Sequence, residues 1–251
     1  MVFQDDDYFS MNRERNIVCR RIVNLLSACR MYLDQCAHHI NNIYGKNSDN
    51  ANLLKQEKAS QYDQYFGYRV MEALRNYTQH RGYPIHSMSF SREWLDFHNE
   101  GNSRLLYTVI PLISVSELVD DGGFKQTVLN EMLSIKNKDG IDIRPLIREY
   151  IEGIGKIHEK VRESIRPDVE KWESVVNNTI KSYQNELGTD VSLAGLAIVA
   201  IRDDDNQWLR VEHRTIFKEF IDRRRGLESK NSVFANLHKR YASNEIRIKD
   251  A

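Results

Sequence analysis

The sequence predicts a mainly α protein: a bundle of long helices with an inserted β-hairpin and a small C-terminal helical appendage. Three observations carry that prediction. The 251 residues include only four prolines and twelve glycines, so few positions interrupt a helix. Long segments repeat apolar residues every three or four positions, the period of one buried helical face. Between them lie two short runs of aromatic and β-branched residues separated by a polar stretch, which suits paired strands.

The first helix is expected from about Asn12 to Tyr44, where Val18, Ile22, Leu25, Cys29, Tyr32, Cys36, Ile40 and Ile43 form the stripe. Gly45 stops it, and residues 46–52 are polar and turn-like. A second helix is expected from about Ala51 to His80, on Leu54, Tyr62, Phe66, Val70, Ala73 and Tyr77. Gly82 and Pro84 end it, because proline lacks an amide donor and disfavours helix in the residue before it. Gly67, inside that helix, costs roughly 1 kcal/mol against alanine, so it marks a close helix contact.

The hairpin insertion spans about 83–113, with strands at Tyr83–Phe90 and Leu105–Ile113 and a short helical turn at Ser91–His98 between them. Val115–Ile135 is a third helical region with a break at Gly122-Gly123. A fourth long helix begins near Ile143 on Ile147, Ile151, Ile154, Ile157, Val161 and Ile165. It continues through Val169, Trp172, Val176, Ile180 and Tyr183, with a kink or break at Pro167. Gly153 and Gly155 allow close approach of a neighbouring helix. The first, second and fourth helices enclose the core. Residues 1–187 form this domain, and 188–251 form the appendage. In the appendage, Leu193–Ile201 is a buried helix or strand, Asp203-Asp204-Asp205-Asn206 a turn, and Glu212–Arg240 a basic helix.

Composition narrows the function. Apolar residues make up 41% and charged residues 29%, with a mean hydropathy of −0.59, enough for a core in a soluble protein. No apolar run approaches the roughly 18 residues of a membrane span, the longest being Leu193–Ile201. The acidic N-terminus lacks the basic and apolar regions of a secretory signal, so a cytoplasmic location is expected. The start just before the first helix also suits a piece of a longer protein. Net charge is zero and the pI near 7.1, without the basic excess of a protein that grips long duplexes. Cys19, Cys29 and Cys36 lack the spacing of a disulfide framework or a zinc site and are expected as small buried residues. His38 and His39 are adjacent and point to different faces, and the Asp203–Asp205 run lacks the glycine and glutamate of a calcium loop. Arg223-Arg224-Arg225 is expected as a solvated helix face. No GxxxxGK, GxSxG or HExxH motif is present, and neither cofactor nor metal is expected.

The chemistry concentrates in Arg75-Asn76-Tyr77-Thr78-Gln79-His80, late in the second helix. Asn76 and His80 stand roughly 40° apart around a helix, on one face, whereas Arg75 and His80 stand roughly 140° apart. A tightened last turn before Gly82 would bring the latter pair round. Arginine offers a fixed fork of donors suited to a phosphate, and histidine suits proton transfer. Metal-free RNA cleavage needs both: a 2'-hydroxyl must lose a proton, phosphorane charge must be stabilised, and the leaving 5'-oxygen must gain a proton. One helix supplies a single histidine, so two copies facing each other across a dimer axis would supply a complementary pair.

This segment resembles the signature of HEPN domains, in which an arginine is followed by a polar residue and, after four to six intervening positions, by histidine. Here the match is Arg75, Asn76 and His80. The resemblance implies a bundle of long helices and a metal-independent endoribonuclease, active as a homodimer on RNA, in a toxin–antitoxin or phage-defence setting with a neutralising or regulatory protein partner. It assigns Arg75 to the phosphate, His80 to proton transfer and Asn76 to positioning. The hairpin insertion departs from a minimal four-helix member. Arg81–His86 and Arg92–His98 also fit the loosest spacing, but the former spans Gly82 and Pro84 and neither has the favoured polar residue after the arginine. Two other readings stand beside the enzyme. His80 is a capping or core-edge residue with Arg75 in a salt bridge to Glu72 or another helix, or the chain is a noncatalytic helical module that binds a partner protein or a nucleotide.

Overall fold

The computed structural model describes residues 8–94, 105–135, 140–193, 196–204, 207–215 and 221–226. Helix is the dominant element, as the apolar periodicity requires. The chain divides into two units between Val161 and Arg162. In the first unit, helix α1 (Tyr8–Tyr44) buries Cys19, Ile22, Leu26, Cys29, Leu33 and Ile40. Val18, Leu25, Tyr32 and Cys36 of the expected stripe pack at its margin, and Ile43 is exposed. Ser48 then caps helix α2 (Asp49–Gln64), its hydroxyl accepting from the Ala51 amide at 3.2 Å. Helix α3 (Phe66–His80) follows at once and places Val70, Met71 and Leu74 in the centre of the core.

The single helix expected over 51–80 is therefore two. Tyr65 between them is extended, with φ −109° and ψ 120°. No glycine or proline breaks the chain there, and the cause is tertiary. The guanidinium of Arg69 reaches back and donates to the carbonyls of Tyr62 and Asp63, each at 2.8 Å, satisfying acceptors that the end of α2 leaves open. The same guanidinium donates to both oxygens of Glu131 at 2.7–3.2 Å. Glu131 belongs to helix α5 (Gln126–Leu133). On the other side of the break, Tyr65 offers no side-chain cap to α3. Glu149, on helix α6 (Ile143–Leu187), supplies it: Oε2 accepts from the Gly67 amide at 2.6 Å. The Tyr65 hydroxyl donates to Glu152 at 3.1 Å and accepts from the ammonium of Lys156.

Gly67 marks the close contact expected of it. A Cβ there would stand 2.7 Å from the Leu146 carbonyl oxygen and 2.8 Å from the Glu149 Cβ. Gly153 likewise leaves room for the Tyr68 ring, whose Cδ2 would lie 2.7 Å from an added Cβ. Gly155 meets nothing within 4 Å, so only one of the two glycines expected to admit a neighbour does so. Tyr68 and Tyr150 stack edge to face at 5.0 Å between α3 and α6.

The hairpin forms as strands β1 (Ser87–Trp94) and β2 (Leu105–Ile113), antiparallel, with Ser87 opposite Leu112 and Trp94 opposite Leu105. Ser91–Trp94 is therefore strand, not the expected helical turn, because each of these residues pairs with β2; residues 95–98 of that turn lie outside the described residues. A two-residue strand β3 (Ile141–Asp142), absent from the sequence expectation, adds to the other edge of β2. Gly140 precedes it with φ +105°, at a place where a Cβ would meet the Ile113 carbonyl oxygen at 2.8 Å. The third helical region does break at its glycine pair: helix α4 (Val115–Asp121) ends on Gly122 in the left-handed region, φ 69°, and α5 begins beyond it.

In the second unit, α6 runs through Pro167 without ending. Proline's missing donor removes one helical hydrogen bond, and the helix continues on either side of it. Strands β4 (Ala197–Asp204) and β5 (Gln207–Thr215) pair antiparallel. Residues 197–201 of the expected Leu193–Ile201 segment are thus strand, residues 194 and 195 lie outside the described residues, and the expected helix from Glu212 begins instead as strand through Thr215. Only 221–226 is helical among the described residues beyond it. There Arg224 and Arg225 both bind Glu173, Arg225 at 3.1 Å. Burial raises the Glu173 carboxyl, and the two guanidinium partners outweigh that and hold it below its ordinary value. Asp203 and Asp204 end β4; residues 205 and 206 of the expected turn lie outside the described residues. No helix among the described residues is long and apolar enough to cross a membrane.

The two glycines of α3 and α6 give opposite expectations. Gly67→Ala places a methyl group against backbone and lowers stability by about 1–3 kcal/mol. Gly155→Ala meets no neighbour and raises it by about 0.5–1 kcal/mol through helix propensity. Urea unfolding of the two variants beside the native chain measures both; equal midpoints would contradict the close α3–α6 contact.

Candidate active site

Helix α3 buries Ala73, Leu74 and Tyr77. That choice of inward face leaves Arg75 half-buried and turns Asn76 and His80 to the exposed side. Arg75 and Asn76 are joined directly: Arg75 Nη1 donates to Asn76 Oδ1 at 3.0 Å. The Arg75 Nε is buried and has no hydrogen-bond partner among the described residues. Thr78 ties the same turn by donating its hydroxyl to the Arg75 carbonyl at 3.1 Å.

Glu72 is not the partner of Arg75. Its carboxylate accepts from the Tyr150 hydroxyl at 2.8 Å and lies 3.9 Å from Arg30 Nη1. Burial raises the phenols of Tyr68 and Tyr150, and the Glu72 charge beside them raises both further. The core glutamate is thus engaged from α1 and α6, and Arg75 makes no ion pair among the described residues.

His80 is the last residue of α3 and is exposed, without a hydrogen bond or ion pair among the described residues. The final turn is an ordinary α turn, closed by the Arg81 amide donating to the Tyr77 carbonyl at 2.8 Å. It is not tightened. Arg75 and His80 on one helix therefore stand roughly 140° apart around its axis and roughly 7.5 Å apart along it. Asn76 is joined to Arg75 and shares a face with His80, but within one copy no hydrogen bond among the described residues joins Arg75 to His80.

A second polar cluster, which includes the Arg81–His86 pair of the loosest spacing, holds the chain just beyond this end. Arg81 Nη1 lies 3.8 Å from Asp121 Oδ1. His86 is buried, and its Nδ1 accepts from the Ser114 amide at 3.1 Å, which puts its proton on Nε2. The His86 amide donates to the Leu112 carbonyl at 3.0 Å, and its carbonyl accepts from Arg15 at 3.0 Å. Glu117 Oε2 stands 4.0 Å from Nε2. The Arg81–His86 match in the sequence is thus spent on tethering α3 to α1, β2 and α4. Its signal was the histidine after Pro84, beside a strand start, where a ring nitrogen can replace a backbone acceptor.

The other candidates settle as local structure. Cys19 and Cys29 are buried and Cys36 half-buried, all as free thiols. Burial pushes the Cys29 thiol up to about 11, so it is not an activated nucleophile. His38 and His39 hold their rings 6.2 Å apart, and His38 Nε2 bonds to Asn42. No group of three or more His, Cys, Asp or Glu among the described residues is placed to hold a metal ion.

Burial lowers the His86 imidazole below its ordinary 6.5, and Arg15 adds to that, while Glu117 opposes it. Because the folded value is depressed, this histidine's contribution is fully present above pH 6.5 and is lost as pH falls from there through the folded value. Native chain stability should fall as pH drops below 6.5. His86→Asn, whose side-chain oxygen can still accept from Ser114, should flatten that slope. Urea midpoints measured across this range check it, and identical slopes would contradict the assignment.

Comparison of the chain with protein-family models, with curated proteins and with solved structures finds no match.

Proposed function

We propose that the chain is a metal-independent endoribonuclease of HEPN type that acts as a homodimer, with Arg75, Asn76 and His80 of two copies forming one site. The observation that carries this reading is the state of Arg75: a half-buried guanidinium, steadied by Asn76, with a buried Nε lacking a partner and no carboxylate engaged. A buried donor without a partner costs about 1–3 kcal/mol, and the exposed amino end of the same guanidinium is the part that a phosphate oxygen would meet. The match to the HEPN signature and the helical bundle point the same way, and they suggest a toxin or phage-defence setting with a neutralising protein.

The reaction follows from the residues. One His80 takes the proton of an RNA 2'-hydroxyl as that oxygen attacks the adjacent phosphorus. Arg75 holds the phosphorane's charged oxygens. The His80 of the second copy gives a proton to the departing 5'-oxygen. The products are a 2',3'-cyclic phosphate and a free 5'-hydroxyl, with protons balanced between the two histidines. A pair of copies also answers the roughly 140° between Arg75 and His80 on one helix, since each histidine then works opposite the other copy's arginine.

That same separation favours a second reading, a noncatalytic helical module that binds a partner protein or a nucleotide through Arg75. The two differ in one assay. The enzyme cleaves single-stranded RNA in EDTA and leaves cyclic phosphate ends. His80→Ala should lower the rate by roughly 10²–10⁴-fold, and Arg75→Ala by roughly 10²–10³-fold. Cleavage untouched by both substitutions, or no cleavage by the native chain, would sink the enzyme reading.

A further inference from the structure

Three residues beyond His80 the chain presents a side chain that the core does not explain. Tyr83 is 64% exposed, more than any other large apolar side chain of the described residues. It makes no hydrogen bond, ion pair or ring contact among them.

Its backbone, by contrast, is held on both sides. Gly82 packs against Tyr77, whose hydroxyl oxygen would lie 2.6 Å from any Cβ placed there. Pro84 and Ile85 are buried, and the proline confines Tyr83 to an extended backbone. His86 is fixed at its amide by Leu112 and at its carbonyl by Arg15. An exposed aromatic ring on a fixed backbone has two side-chain torsions to order on binding, so little entropy is lost when its face is covered.

We propose that Tyr83 is the base-stacking residue of the Arg75–Asn76–His80 site, holding by its ring face a nucleobase next to the scissile phosphate of a single-stranded RNA. This rests on the ribonuclease reading for its substrate. Chain length alone keeps the Tyr83 and His80 Cα atoms within about 11 Å, a nucleotide or two along a single strand. Arg81, about half-exposed and 3.8 Å from Asp121, lies between them, so a partly exposed guanidinium and an aromatic ring follow the histidine along the chain. That is the pattern by which single strands are held: cations on phosphates and rings on bases. The chain's net charge of zero makes stacking the larger share, because no general basic excess draws the backbone in.

The test uses the full chain and a fluorescent single-stranded oligoribonucleotide with 2'-O-methyl sugars, which cannot be cleaved, read by anisotropy. Tyr83→Ala should weaken binding by roughly 5–150-fold, the range of one lost base stack. Tyr83→Phe should bind within about twofold of the native chain, since the ring face is kept. Tyr83→Leu, apolar but not flat, should lose affinity like the alanine variant. Unchanged affinity of Tyr83→Ala, or no binding by the native chain, overturns the assignment. The two proposals fail separately. Absent cleavage with Tyr83-dependent binding rejects the nuclease and keeps the stacking residue. Metal-free cleavage with Tyr83-independent binding does the reverse.

Discussion

The rest of the first unit depends on how the break between α2 and α3 is closed. Two charged side chains from outside the break do it. Arg69 takes the carbonyls that α2 leaves open and anchors them to Glu131, while Glu149 accepts the amide that α3 presents at Gly67. Charge-assisted bonds of this kind are about twice as strong as neutral ones. They let the chain turn at Tyr65 without a glycine or proline in the turn. The new direction of α3 seats Val70, Met71 and Leu74 in the core and carries Arg75, Asn76 and His80 toward its far end.

The core around α3 is not wholly apolar, and its polar part decides what Arg75 is free to do. Glu72 would be the natural partner of an arginine three residues on, yet Tyr150 and Arg30 engage it from α6 and α1. With Glu72 taken, the Arg75 guanidinium keeps only the Asn76 oxygen among the described residues. An unsatisfied buried donor is uncommon in a folded protein and calls for a reason. The proposed phosphate-binding role would supply one.

Much of this was legible in the residues. Most of the α1 stripe, the Ile157, Val161 and Ile180 positions of α6, the glycine break after α4 and the hairpin partner Leu105–Ile113 follow from local periodicity and turn chemistry, whereas Trp172 of the expected α6 stripe is exposed. Gly67 was read for what it is, because a glycine inside a helical pattern carries a cost that only packing offsets. What stayed hidden was tertiary. The break at Tyr65 comes from Arg69, whose side chain folds back on the preceding turn while held by Glu131, and from Glu149, which is distant in sequence. Strand β3 is two residues long and exists only through its pairing with β2. The hairpin β4–β5 was obscured because Leu193–Ile201 suits helix and strand alike. At the candidate site, residue types and spacing were visible, whereas the commitment of Glu72 elsewhere, the untightened last turn and the fixed backbone around Tyr83 were not.

The central claim is that one site needs both copies of His80. A heterodimer with one native chain and one His80→Ala chain, isolated through two different affinity tags, tests it directly. Its metal-free RNA cleavage, measured under single-turnover conditions, should fall to the level of the His80→Ala homodimer. Half the native rate, or a native chain that cleaves as a monomer, would contradict the account.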